Sequence, residues 1–322
     1  MKKSLLMFFT AFLLCTSVFA EGQKEAGDEK IVISGIVFQD DQFFNTIQKG
    51  MQAAAEDLGV ELLLANSNNK QDKEMELVNT YIARKVDAIV ISPLSETASV
   101  AALQRAHDKG IKIVTYNSPL SADFPVSYVN SSQSELGSGS GKAAREYIEK
   151  NLDGEIQVAT LAFKSLLPEI SDMRVNGFLN EITDIPGVKI VSQQDAWLAE
   201  DALAKAGDII TANPDLDILY AANDGGTVGS VMAVNNANKD IVVFGIDASE
   251  QLAGFLKDST DILQATTGQQ PFEIGYQSIE FAVKAIKGEP VEPTVIVPGL
   301  VLDRRDPAGV DQFLTDLKAI TK

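Results

Sequence analysis

Residues Ile31 to Gly50 read IVISGIVFQDDQFFNTIQKG, and this stretch decides the fold. An apolar run from Ile31 to Phe38 gives way to Gln39, Asp40 and Asp41, then to Phe43 and Phe44 at the head of a segment with helical apolar spacing. In doubly wound α/β sheets, ligands sit beyond the carboxyl ends of the strands, which is where Asp41, Phe43 and Phe44 fall. Aromatic faces pack on the C–H faces of sugar rings, and a carboxylate accepts hydrogen bonds from hydroxyls. This is chemistry for a sugar site, and it needs neither metal nor cofactor.

The same alternation continues outward. VELLLAN, VDAIVIS and IKIVTYN read as strands, with helices predicted near 42–58, 72–84 and 96–108 between them. A second series starts after VSYVNSS and runs through the strands EIQVATLAF, VKIVSQQ, DILYAAND, IVVFGIDA and ILQATTG. Regular βαβ repetition demands parallel sheets covered by helices, and two series of similar length predict an α/β protein with two lobes. A helix over 271–287, a strand TVIVPGLVLD and a last helix near 307–320 follow; the last has no role assigned by the sequence, buttressing the first lobe being the simplest. Each buried strand closes on a polar cluster: QDD at 39–41, YNS at 116–118, QQD at 193–195, AND at 222–224, GIDAS at 245–249 and TGQQ at 267–270. Such clusters on both lobes imply a shared cleft between them.

The chain opens with Lys2 and Lys3, an apolar run from Leu5 to Leu14, and Val18-Phe19-Ala20 with small residues where a signal peptidase requires them. Export to the periplasm is expected, with residues 1–20 removed and 21–29, EGQKEAGDE, left as a polar linker. Cys15 raises a lipid-anchored alternative, but Leu14 is too large for the usual lipid-attachment box. The whole chain carries 27 Lys+Arg against 45 Asp+Glu, a net charge of −18, and losing Lys2 and Lys3 takes it to about −20. That argues against nucleic acid and anionic membrane surfaces as partners. A mature chain without cysteine and with one histidine, His107, offers no zinc site and no Ser/His/Asp or Cys/His catalytic arrangement. Gly137-Ser-Gly-Ser-Gly141 lacks the phosphate-loop pattern and reads as helix packing beside a hinge.

Phe43-Phe44, VDAIVIS with Pro93, Gly137 after SSQS, Arg174-x-x-Gly177-Phe178, Asn223-Asp224, Gly245-Ile246-Asp247 and Gln269 together resemble the ribose-type branch of the periplasmic substrate-binding proteins of type I fold. The resemblance runs from Lys30 to about Arg304. It implies two doubly wound lobes of flavodoxin-like strand order joined by three hinge strands, with crossings near Ser131, Gln269 and Leu300. The lobes would then be 30–131 with 271–300, and 132–269, leaving 301–322 as a C-terminal segment with an extra helix. The resemblance also implies that Asp41 stands where ribose binders have asparagine and that Phe43 and Phe44 are stacking aromatics. Asn117 takes the place of an aspartate, Trp197 that of another aromatic, and Asn223, Asp247 and Gln269 match a hydrogen-bonding set. Ser118 and Asp172 stand where ribose binders place arginines. Without those cations the pocket disfavours sugar acids and phosphates and suits a neutral polyhydroxyl ligand or a cationic amino sugar.

The expectation is therefore a binding protein and not an enzyme, monomeric, capturing a monosaccharide or polyol for the permease of an ABC importer. A sensory subunit read by a chemoreceptor, or a binder of nucleosides, are the competing readings. Asp41 and Asn223 also suit plain helix N-caps, a reading that needs no ligand.

Overall fold

The computed structural model describes residues 30–321, so the expected leader, Cys15 and the linker lie outside the described residues. Strands β1 (Val32–Val37), β2 (Glu61–Asn66), β3 (Ala88–Ile91), β4 (Lys112–Tyr116) and β5 (Ser127–Ser131) are interleaved with helices α1 (Gln42–Leu58), α2 (Gln71–Arg84) and α3 (Val100–His107). Helix α4 (Gln133–Asn151) opens a second series: β6 (Ile156–Ala162), α5 (Pro168–Ile182), β7 (Val188–Asp195), α6 (Ala199–Ala212), β8 (Leu216–Ala221), α7 (Asp224–Ala237), β9 (Val242–Ile246), α8 (Glu250–Lys257) and β10 (Leu263–Gly268). The chain ends with α9 (Pro271–Ile286), β11 (Thr294–Val297), β12 (Leu300–Asp303) and α10 (Pro307–Thr321).

Among the described residues these strands form two six-stranded sheets, ordered β11-β5-β4-β3-β1-β2 and β12-β10-β9-β8-β6-β7. The order matches on both sides: each lobe reverses direction beside its first strand, β1 or β6. The lobes also share a sequence device. Asp87, opening VDAIV, accepts the Val32 N–H at 2.8 Å, and Asp217, in LDILY, accepts the Gln157 N–H at 2.8 Å. Each carboxylate satisfies a donor at the base of a central strand, so the two lobes are built by one rule.

The chain crosses between sheets three times. β5 leads into α4, β10 leads into α9 packed on α1 and β4, and β11 passes through Pro298-Gly299 into β12. The run TVIVPGLVLD therefore makes two strands rather than one. β11 lies parallel to β5 and β12 antiparallel to β10. Proline has no N–H to give a ladder, and it falls where the run changes sheet. Helix α10 packs mainly on the second lobe, against α8 and β12, and only touches α1 of the first. Val310 is buried with Leu256 and Leu302, Phe313 and Leu314 cover the same core, and Lys257 pairs with Asp311.

Helix pairs are drawn together by glycine. A Cβ at Gly50 would lie 2.0 Å from the Phe272 carbonyl oxygen and one at Gly275 would lie 2.1 Å from that of Ile47, binding α1 to α9. The counterpart in the second lobe joins α4 to α5, where a Cβ at Gly137 would lie 2.0 Å from Arg174 O and one at Gly177 would lie 2.2 Å from Ser134 O. Gly139 and Gly141 also face neighbours closely, Thr267 and Phe178, so the glycine run serves packing. Below α5, Phe178 stacks on Tyr220 with ring centroids 3.9 Å apart.

Candidate functional site

The sequence places its candidate residues just beyond strand ends, and the first lobe contributes Asp41, Phe43, Phe44 and Asn117. Asp41 is the N-cap of α1: Oδ1 accepts the Phe44 N–H at 2.9 Å and Oδ2 accepts from Gln39. The plain capping role is thus realised, and both oxygens have partners within the chain. Phe44 is 3% exposed and belongs to the lobe's core beside Ile47 and Met51, while Phe43 is half-buried and meets it edge-on at 5.3 Å. The expectation that both rings border the cleft is corrected in this respect: adjacent helical residues point in different directions, so only Phe43 keeps an accessible face.

Asn117 follows β4 with φ +59°, a left-handed conformation that asparagine tolerates. Its Nδ2 donates to Ser92 Oγ at 3.3 Å, and its carbonyl accepts the Tyr128 hydroxyl at 3.0 Å. The Ser92 loop is in turn pinned by Glu74, a fully buried carboxylate that the sequence reading passed over. Glu74 accepts from the Leu94 N–H at 2.7 Å, from Gln71 Nε2 at 2.9 Å and from the Ser99 hydroxyl. Glu74→Ala leaves these donors buried and unpaired, so a stability loss of about 1–3 kcal/mol is expected by urea denaturation. A midpoint unchanged from wild type would show that the loop is held otherwise.

In the second lobe three turns are tied together by side chains. Asn223 caps α7, accepting the Gly226 N–H at 3.2 Å, and its Nδ2 donates to the Trp197 carbonyl at 3.0 Å. Trp197, between β7 and α6, is half-buried against the core that contains Phe178 and Phe244. Asp247 has φ +78°, and its Oδ2 accepts the Asp224 N–H at 2.9 Å and lies 3.8 Å from Arg174 Nη1. Arg174 is itself buried, donating to Ala222 O at 3.0 Å and Gln133 Oε1 at 2.8 Å, with its guanidinium over the Phe163 ring. Burial pushes the Asp224 carboxyl above its ordinary range; a hydrogen bond with Ser249 opposes the shift and the Asp247 charge adds to it.

Asp172 stands where ribose binders place an arginine, yet cations lie near it. Asp172 is paired with Lys164 at 2.9 Å, and Arg174 stands beside Asp247. Two residues apart on α5, Asp172 and Arg174 face different ways, one toward the exposed lysine and the other inward. The sequence marked Arg174 only as part of a motif, and spacing alone gave it no partner. Asp195, ending β7, anchors the Lys164 loop by accepting the backbone N–H groups of Lys164 at 2.6 Å and Ser165 at 2.8 Å. Burial works against its charge, yet hydrogen bonds from Ser165 and Lys164 hold its carboxyl below the ordinary range.

Gln269 lies at the second crossing, directly after β10. The structure thus links Trp197, Asn223, Asp247 and Arg174 in one network and sets Asp172 apart with Lys164. Asn117 and Phe43 are brought to the first lobe's strand ends.

Known proteins place this architecture. ABC transporter periplasmic-binding protein YphF of Escherichia coli (strain K12) is 28% identical over 298 residues, spanning 88% of this chain and 89% of its own length. Ribose import binding protein RbsB of Bacillus subtilis (strain 168) is 27% identical over 258 residues, 80% of this chain and 81% of that one. The crystal structure of an ABC transporter periplasmic solute-binding protein from Actinobacillus succinogenes 130z, with bound D-allose, matches with a TM-score of 0.72 at 26% identity, covering 87% of this chain and 99% of that chain. The family model described as periplasmic binding protein domain matches residues 31–290, which takes in β1 to β10, the first two crossings and every candidate residue above, and the chain belongs to that family.

Proposed function

We propose that this chain is an exported solute-binding protein that captures a monosaccharide or polyol between its lobes and presents it to the membrane permease of an ABC importer. The observation that carries this reading is the second lobe's polar network at the ends of β7, β8 and β9. It combines a half-buried tryptophan with Asn223 and Asp247, and both side-chain contacts of Asp247, with the Asp224 N–H and Arg174, use Oδ2. Such a set recognises hydroxyls directionally and offers a ring face something to stack on. The relative named for ribose import and the one holding D-allose support a neutral sugar, and the net charge of −18 supports exclusion of acidic ones.

Binding is the whole chemistry. Ligand contacts drawn from both lobes favour a closed arrangement, and bending at the three crossings turns occupancy into a change of shape that a permease reads. A thermal-shift screen of the mature protein against pentoses, hexoses, polyols, amino sugars, nucleosides and amino acids tests this. A ligand at 100 times its dissociation constant adds ~2.7 kcal/mol, a rise well outside scatter. Stabilisation by one sugar or polyol is the expected result. A response confined to nucleosides, amines or amino acids would keep the two-lobed binder and overturn the sugar.

A further inference from the structure

Two side-chain amide oxygens at the crossings are left unpaired. Asn130 Oδ1 and Gln269 Oε1 are both shielded from solvent, and neither has a hydrogen-bond partner among the described residues. Buried polar atoms nearly always have one, because an unpaired acceptor forfeits what water gave it. The other unpartnered buried atoms are hydroxyls of Ser34, Ser67, Ser131 and Thr160, which can rotate toward a neighbour. Turning an amide over only exchanges the buried oxygen for a buried NH2 group, which needs a partner as well.

The two amides stand close to the same short bridge. Asn130 is the penultimate residue of β5 and pairs in register with Ile296 of β11, while Gly268, just before Gln269, pairs with Leu300 of β12. Only Pro298 and Gly299 join β11 to β12, and Gln270 Nε2 donates to Pro298 O at 3.0 Å. Strand alternation puts Tyr128 and Asn130 on one face of β5, and the Tyr128 hydroxyl holds the carbonyl of Asn117. Val129, on the opposite face, is fully buried in the core. Asn130 therefore shares its face with the residue that steadies a candidate ligand contact, at the carboxyl end of its strand.

We infer that Asn130 is a ligand-contacting residue of the interlobe cleft, its side-chain oxygen accepting a hydroxyl hydrogen bond from the bound molecule beside Gln269. This rests on the sugar or polyol reading above. It also gives the hinge a direct part in recognition, since the contact is made from a strand that crosses between lobes.

The test uses the mature full-length protein and two variants, Asn130→Leu, close in size with no acceptor, and Asn130→Asp, which keeps one. The unliganded melting temperature is measured together with affinity for D-ribose, D-allose and the sugar or polyol that best stabilises wild type. Leucine removes the unpaired acceptor together with the side-chain hydrogen bond to Tyr128, so the unliganded melting temperature of Asn130→Leu should stay close to that of wild type while binding weakens about tenfold or more. Asn130→Asp should bind more tightly than Asn130→Leu. Wild-type affinity in Asn130→Leu would overturn the inference, as would a lowered unliganded melting temperature in both variants, which marks a structural role. If leucine prevents folding, Asn130→Ala is judged by the same criteria. Failure of wild type to bind any sugar or polyol would instead overturn the functional reading, and this inference with it.

Discussion

Gly177→Val is expected to lower the melting temperature by about 6–12 °C, among the largest losses available to a single helical substitution. A Cβ there would lie 2.2 Å from the Ser134 carbonyl oxygen and 3.1 Å from the Ser138 nitrogen, both backbone atoms that cannot yield alone. Gly137 makes the reciprocal contact with Arg174 O, so the two helices must separate along their seam and loosen Leu136 and Phe178 beneath it. Overpacking of this kind costs about 3 kcal/mol or more, and each kcal/mol moves the midpoint of a chain this size by about 2–4 °C. Gly207→Ala is the control: it is helical with nothing within 4 Å of its Cβ, so helix propensity predicts slight stabilisation of about 0.5–1 kcal/mol. Equal midpoints for Gly177→Val and wild type, read by circular dichroism, would show that the seam is not tight.

Asp247→Ala is expected to weaken ligand binding by about 2 kcal/mol or more, at least about thirtyfold, in isothermal titration. The carboxylate is aimed by the Asp224 N–H and by the buried guanidinium of Arg174, so its position is set before any ligand arrives. Asp247→Asn separates charge from geometry. It preserves an acceptor for the Asp224 N–H and tolerates the left-handed backbone that alanine adopts less readily. If the ligand needs only an acceptor, Asn retains much of the affinity; if it needs the charge, Asn and Ala fail alike. Trp197→Ala, removing the half-buried ring, should cost about tenfold by lost stacking. Wild-type affinity in both alanine variants would remove the cleft assignment.

The βαβ alternation was readable because buried parallel strands are short apolar runs, and VDAIVIS or IVVFGIDA admit little else. Polar residues closing those runs marked the site side of each sheet for the same reason: the chain turns there, and only there can side chains leave the core. Pairing information was missing. Nothing in α10 says which lobe its apolar face covers, and Asp172 gives no sign of Lys164, eight residues away across a loop. Adjacency on a helix already bars Phe43 and Phe44 from facing the same core; the resemblance put both rings at the cleft, and burial commits Phe44 to the core. Glu74 was invisible for a further reason. A glutamate in a first helical turn normally suits the dipole at the surface, and its burial comes from Ser99 and Leu94 on another segment.

The glycine seams separate two kinds of change open to this chain over generations. Helices α1 with α9, and α4 with α5, are fixed backbone to backbone, at places that accept no side chain. Asn117, Trp197, Asn223, Asp247 and Gln269 all stand in turns beyond the strands, where a substitution forfeits one or two local hydrogen bonds, about 1 kcal/mol each, and at Asp247 the pairing with Arg174 as well, without opening the helix seams. Selection for a new nutrient therefore has latitude at the turns without revisiting the scaffold. A lineage carrying this fold can exchange its cargo in a few steps while its glycines stay where they are.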